Sequence, residues 1–178
     1  SMIENDRTRV IDASTAHRTE PGWCYGFPQL DSSFLEKLKS AKRTAVPGCH
    51  ASGFISLVYP LVASGMLPPD ADITCHSVTG YSGGGKKMIA QYQDSGMVVT
   101  VPLFQNMLNP GYTVSDVKEV YRALYKGPVV RYCEAADENG FLSANRTAGS
   151  DAMQIIVAGN EDRILLISRF DNLGKGAS

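Results

Sequence analysis

The sequence predicts an α+β fold: a largely antiparallel mixed sheet with helices on one face, preceded by the tail of an α/β domain. Three observations predict it. The length, 178 residues, suits one domain or one domain plus part of another. After Met97 the apolar pattern runs strand, helix, then several strands. The first 45 residues instead read strand, helix, strand, as an α/β unit does. The expected division is residues 1–45 and 46–178.

Taken in order, Arg9-Val10-Ile11-Asp12 predicts a short strand ending at Ala13-Ser14-Thr15. Ser32 or Ser33 is placed to cap a helix reaching about Ala41, with Phe34, Leu35 and Leu38 on one face. Thr44-Ala45-Val46 predicts a strand stopped by Pro47-Gly48. A nearly all-apolar helix follows from about Ala51 to Ser64, with Pro60 expected to kink it and Gly65 to end it. Ile73–Val78 reads as a strand, then comes the turn Gly80-Tyr81-Ser82-Gly83-Gly84-Gly85-Lys86. Met97–Leu103 is a strand and Ser115–Tyr125 an amphipathic helix. Val129–Cys133, Met153–Ala158 and Arg163–Ser168 are the last strands, the final two joined by the hairpin residues Asn160-Glu161-Asp162.

Composition narrows the function classes. Against 17 Lys and Arg stand 18 Asp and Glu, so no basic field favours nucleic acid as the main partner. No apolar run is long enough to span a bilayer, so no membrane association is expected. Cys24, Cys49, Cys75 and Cys133 form no CxxC pair and no zinc-spaced cluster, so no metal is expected. Reduced thiols in a cytosolic or organellar-matrix compartment follow, the cytoplasm being the expected location. From Thr44 to Gly85 there is no Lys or Arg, which predicts a segment that is largely buried or lines a cleft.

Four stretches could carry chemistry. Pro47-Gly48 delivers Cys49 to a helix amino end, where unpaired N–H groups and the helix dipole stabilise a thiolate. Cys49 is therefore either a nucleophile or a small packing residue. Cys24, Cys75 and Cys133 are expected in the core. The Gly80–Lys86 turn nearly fits a P-loop, but Lys87 replaces the metal-binding hydroxyl. It is an anion cradle, with Ser82, Gly83 and Lys86 as its contacts, or simply a tight turn. Ser14, Thr15 and Arg18 form a possible anion-binding lip, or a turn with a solvated Arg. Asn172, Gly174 and Lys175 lie in a loop suited to an oxyanion or cofactor.

Together, Val10–Arg18, Trp23–Pro28, Pro47–Cys49, Gly80–Lys86 and Asp171–Ala177 closely resemble the shorter-chain class of N-acetyl-gamma-glutamyl-phosphate reductases, of the aspartate-semialdehyde dehydrogenase superfamily. The resemblance implies NADPH-dependent reduction of N-acetyl-glutamyl 5-phosphate, an acyl phosphate, to the 5-semialdehyde, a step of arginine biosynthesis. It implies Cys49 as nucleophile through a thioester. Ser14, Thr15, Arg18, Ser82, Gly83 and Lys86 would hold the substrate, and Asn172, Gly174 and Lys175 would face the NADP nicotinamide. It further implies a homodimer or homotetramer, and residues 1–45 as the remnant of a dinucleotide-binding domain.

The sequence also departs from the family. It has no glycine-rich dinucleotide fingerprint, so an incomplete part of the enzyme, inactive by itself, is expected. Val46 stands where Asn usually precedes Pro-Gly-Cys, and His50 where Tyr usually follows. The family's catalytic histidine lies on a segment that Tyr92–Gly96 replaces with a direct junction. None of His17, His50 or His76 takes that position. His50 adjoins Cys49, His76 is expected in the core, and His17 belongs to the lip, for a structural hydrogen bond or for proton transfer. The alternative reading is a non-catalytic oligomerisation or binding module derived from the family.

Overall fold

Short β-rich segments near the amino end pair as neighbours in the computed structural model, which describes residues 5, 7–80, 96–135 and 139–175. Strands β1 (Val10–Asp12), β2 (Cys24–Tyr25) and β3 (Arg43–Ala45) form a parallel sheet in the order β1-β3-β2. Helix α1 (Ser32–Ser40) is the crossover between β2 and β3. Its cap is not Ser32 or Ser33 but Asp31, whose carboxylate accepts from the Ser33 and Phe34 amides at 2.7 and 3.3 Å. The Ser33 side chain first, then the Tyr59 hydroxyl, and to a lesser extent those two amides hold the Asp31 carboxyl at about 2. Phe34 and Tyr59 also meet edge to face at 5.6 Å, so cap and aromatic pair join α1 to the next helix.

That helix, α2 (Cys49–Ala63), begins two residues earlier than the apolar pattern suggests, with Gly48 as its extended N-cap. Pro60 lacks the amide that would serve the Ser56 carbonyl one turn back. The Tyr125 hydroxyl takes its place, donating to Ser56 O at 2.8 Å, while Tyr121 donates to the adjacent Leu57 carbonyl. Gly53 lets the helix approach the sheet closely. A Cβ there would collide with Val99 and stand 3.2 Å from Phe170 Cε1.

Strands β4 (His76–Thr79), β5 (Gly96–Phe104), β6 (Val130–Tyr132), β7 (Met153–Gly159) and β8 (Arg163–Asp171) form the second sheet, ordered β4-β5-β8-β7-β6. Every pairing is antiparallel except β6 with β7, so the mixed, largely antiparallel expectation holds. Helix α3 (Val114–Leu124) starts with a capping box in which the Thr113 amide donates to Asp116 at 2.8 Å. Helices α2 and α3 bury Leu57, Leu61, Val117 and Tyr121 against Met97, Val99, Val101 and Leu103 of β5 and Leu166 and Phe170 of β8. The β7–β8 hairpin turns at Gly159 (φ +118°), with Asn160 Oδ1 accepting from the Asp162 and Arg163 amides.

Three expectations are corrected here. Strand β4 is exposed along its whole length, so His76 is not a core residue, and in the described part of the stretch free of basic residues burial is confined to α2 and its flanks at Ala45, Pro47, Met66 and Leu67. Cys75 is exposed, and Cys24 and Cys133 are only half-buried. The exposure of His76 and of the adjacent Cys75 has one physical cause. Strand β4 lies at a sheet edge and pairs only with β5, beyond the cover of the helices. Strand β8 also runs past Ser168 to Asp171. Among the described residues no helix is long and apolar enough to cross a membrane.

Candidate active site

Cys49 occupies the first helical position of α2, half-buried against the main core cluster. The turn before it is clamped to the small sheet, since the Val46 amide donates to Asp12 O at 2.8 Å. Gly48 caps the helix through its backbone alone. The amides of the first turn therefore face away from the helix as a cluster of donors next to the thiol.

Arg18 arrives from the turn after β1. Its Nε donates to the Val46 carbonyl at 2.9 Å and its Nη2 to Ala13 O at 3.2 Å. These bonds press the guanidinium against Gly48, where an added Cβ would stand 2.7 Å from Nη1. With an ordinary φ of −78°, Gly48 is not there for backbone freedom, and a side chain in its place would displace the Arg18 guanidinium. The structure thus brings together two residues 31 positions apart that the sequence singled out separately.

Ser14 is engaged within its own turn. Its hydroxyl donates to Asp12 at 2.7 Å and accepts from the Ala16 amide at 3.2 Å, which folds the turn that delivers Arg18. Thr15 is exposed on that turn. His17 Nδ1 meets the Asp12 carboxylate at 2.8 Å, and the ring stacks on Trp23 at 4.1 Å. The bond to His17 first, then those to Ser14, hold the Asp12 carboxyl at about 2. His50 does not turn toward Cys49: its Nδ1 lies 2.6 Å from Ser77 Oγ on β4.

At the end of β8, Asn172 and Lys175 are buried and Gly174 backs onto the Ser150 carbonyl. The Lys175 ammonium lies 4.7 Å over the Phe27 ring, and burial lowers its pKa. Gly26, just before Phe27, packs on the Ala45 carbonyl and Pro47, so Lys175 is coupled to the Cys49 turn through this loop. No carboxylate among the described residues pairs with Lys175, a setting that fits an anionic ligand. Ser82, Gly83 and Lys86 lie outside the described residues, which stop at Gly80, whose amide donates to Gly96 O at 2.7 Å. Among the described residues no group of three or more His, Cys, Asp or Glu is placed to hold a metal.

Sequence reasoning missed the Asp12–His17 pair, the Phe27 platform and Ser52. The Asp-x-Ser spacing, an Asx-turn signal, could have exposed the first. Ser52 follows Cys49 by less than one helical turn, and its hydroxyl is buried without a partner.

Residues 49–95 match the family described as "Semialdehyde dehydrogenase, dimerisation domain". The N-acetyl-gamma-glutamyl-phosphate reductase of Rhizobium meliloti (strain 1021) is 33% identical over 225 positions, covering 98% of this chain and 73% of the relative. The protein of the same name from Brucella ovis is 33% identical over 230 positions, covering 100% and 74%. Both alignments are longer than the chain itself, so the relatives carry residues inside the matched span that this chain lacks. Among solved structures, aspartate semialdehyde dehydrogenase II from Vibrio cholerae superposes with a TM-score of 0.70 at 14% identity, over 94% of this chain and 68% of that one. The Francisella tularensis aspartate semialdehyde dehydrogenase gives 0.69 at 10% identity, over 94% and 71%. These two establish the fold, and the bacterial reductases establish the lineage: the chain belongs to the N-acetyl-gamma-glutamyl-phosphate reductase family.

Proposed function

We propose that this chain carries the acyl-transfer half of an NADPH-dependent reduction of N-acetyl-glutamyl 5-phosphate to the 5-semialdehyde. The reading rests on one observation above all: the Arg18 guanidinium is fixed against Gly48, directly before a cysteine at a helix amino end. A thiolate there has positive charge on one side and backbone donors on the other, which is what nucleophilic attack on a dianionic acyl phosphate requires.

The Cys49 sulfur adds to the acyl carbon, and the carbonyl oxygen gains negative charge beside the α2 amides. As the carbonyl re-forms, the bond to the phosphate oxygen breaks. Phosphate departs with the electron pair past Arg18 and takes its proton from solvent. A thioester on Cys49 remains. The chemistry a reduced nicotinamide supplies there, when bound, is a hydride for the thioester carbon. Asn172 and Lys175 would hold the dinucleotide there, the buried ammonium on Phe27 suiting the negative charge of its phosphates. With a hydride so supplied, departure of the Cys49 thiolate would consume no proton, so turnover would balance without a histidine at the family's usual position. That missing acid would be felt as rate.

In this reading residues 1–45 are the remnant of a dinucleotide-binding domain, and residues 46–178 are the catalytic and dimerisation unit. Tight NADPH binding would then need more protein than these 178 residues. The assembly would be a homodimer or homotetramer in the cytoplasm.

The test is a single-turnover assay with N-acetyl-glutamyl phosphate and no reductant. A burst of about one phosphate per chain is expected, lost in Cys49→Ser. A burst of equal size in Cys49→Ser would refute the assignment.

A further inference from the structure

Ser52 is fully buried in the first turn of α2, and its hydroxyl has no hydrogen-bond partner. Buried hydroxyls nearly always find one, so an unpaired example calls for a reason. The next serine on the same face shows the ordinary solution: Ser56 Oγ donates to the Gly53 carbonyl at 2.8 Å. Ser52 could reach back to the Cys49 carbonyl in the same way and does not.

Its position supplies the reason. Residues three apart share a helix face, and helical Cα–Cβ bonds tilt toward the amino end. A side chain at position 52 therefore lies over the turn that carries Cys49. The other polar side chains near this turn are already engaged: Arg18 with the Val46 and Ala13 carbonyls, His50 with Ser77. Ser52, by contrast, holds a hydroxyl proton that no acceptor takes.

We propose that the Ser52 hydroxyl donates a hydrogen bond to the Cys49 sulfur when that sulfur is ionised, and so supports the attacking thiolate. The neutral thiol offers only a weak acceptor, and the hydroxyl makes no bond to it in this structure. Ionisation turns the sulfur into a strong acceptor and the bond forms. The inference rests on Cys49 being the nucleophile.

The experiment is site-resolved alkylation of the chain by iodoacetamide across pH, read by peptide mass spectrometry, for wild type, Ser52→Ala and Ser52→Thr. Alanine favours helix, so α2 is retained in the first variant. Ser52→Ala is expected to slow Cys49 labelling near neutral pH by roughly tenfold, the size of a hydrogen bond to a charged group. The half-maximal point should move to higher pH. Ser52→Thr should restore the wild-type profile, and exposed Cys75 should label equally in all three. A Cys49 profile unchanged in Ser52→Ala overturns the proposal, because a hydroxyl that only fills space or meets a buried water would behave that way. Wild-type Cys49 labelling no faster than Cys75 overturns the nucleophile reading, and the Ser52 proposal with it.

Discussion

Arg18 spends its Nε and Nη2 donors on two carbonyls from opposite sides of the Cys49 turn, and the charge that remains is directed at Gly48. The turn that supplies it is built by Asp12, which collects Ser14 N–H, Ser14 Oγ and His17 Nδ1. These bonds favour the ionised carboxylate, and the folded-state value lies at about 2 against an ordinary 3.8. Because the folded value is the lower one, their stabilisation is complete above about pH 4 and fades as pH falls toward 2. Asp12→Asn should therefore melt below wild type at neutral pH, and the gap should close in acid. Thermal denaturation followed by circular dichroism at stepped pH measures it. A gap that is constant with pH would mean the carboxylate charge plays no part.

Helix α2 does more at the scale of an element than carry the cysteine. Gly53 brings it down onto β5 and β8, and the two buried tyrosines of the α3 segment secure its middle at Ser56 and Leu57. Pro60 creates the need that Tyr125 meets. Tyr125→Phe would leave the Ser56 carbonyl buried and unpaired, at a cost of about 1–3 kcal/mol. In a Pro60→Ala background the restored amide should serve that carbonyl, so the same Tyr125→Phe change should cost clearly less. Urea denaturation of the four variants gives the coupling, and equal costs in the two backgrounds would show that the hydroxyl is not replacing the proline's missing donor. Pro60 was legible in the sequence as a lost donor, but its remedy was not, because the tyrosine lies 69 residues from Ser56. The α1 cap was misplaced for a related reason: Asp31, Ser32 and Ser33 are all good capping residues, and only the approach of Tyr59 and the strand geometry select the carboxylate.

For the whole molecule, helices cover one face of the five-stranded sheet and leave apolar residues on the other, among them Phe104 at 58% and Val78 at 67% exposure. Together with the dimerisation-domain match, that face is the expected self-association surface. Phe104→Asp should shift the chain toward monomer in sedimentation velocity. An unchanged distribution would place the interface elsewhere. The order of strands and helices was readable because periodicity is a local property, and the mixed sheet followed from it. Cys49 and Arg18 were readable as residue types at a helix start and a turn, whereas the approach of Arg18 to Gly48 depends on β1 and β3 pairing across more than 30 residues. Exposure of Cys75 and His76 was misjudged because an edge strand and a central strand read alike in apolar content.

The claim on which the rest depends is that Cys49 takes up the acyl group, and intact-mass spectrometry of the chain after brief exposure to N-acetyl-glutamyl phosphate tests it most directly. The account predicts one N-acetylglutamyl adduct per chain, mapped to Cys49, released by hydroxylamine and absent from Cys49→Ser. An unmodified wild-type chain, or an adduct that persists in Cys49→Ser, would contradict it.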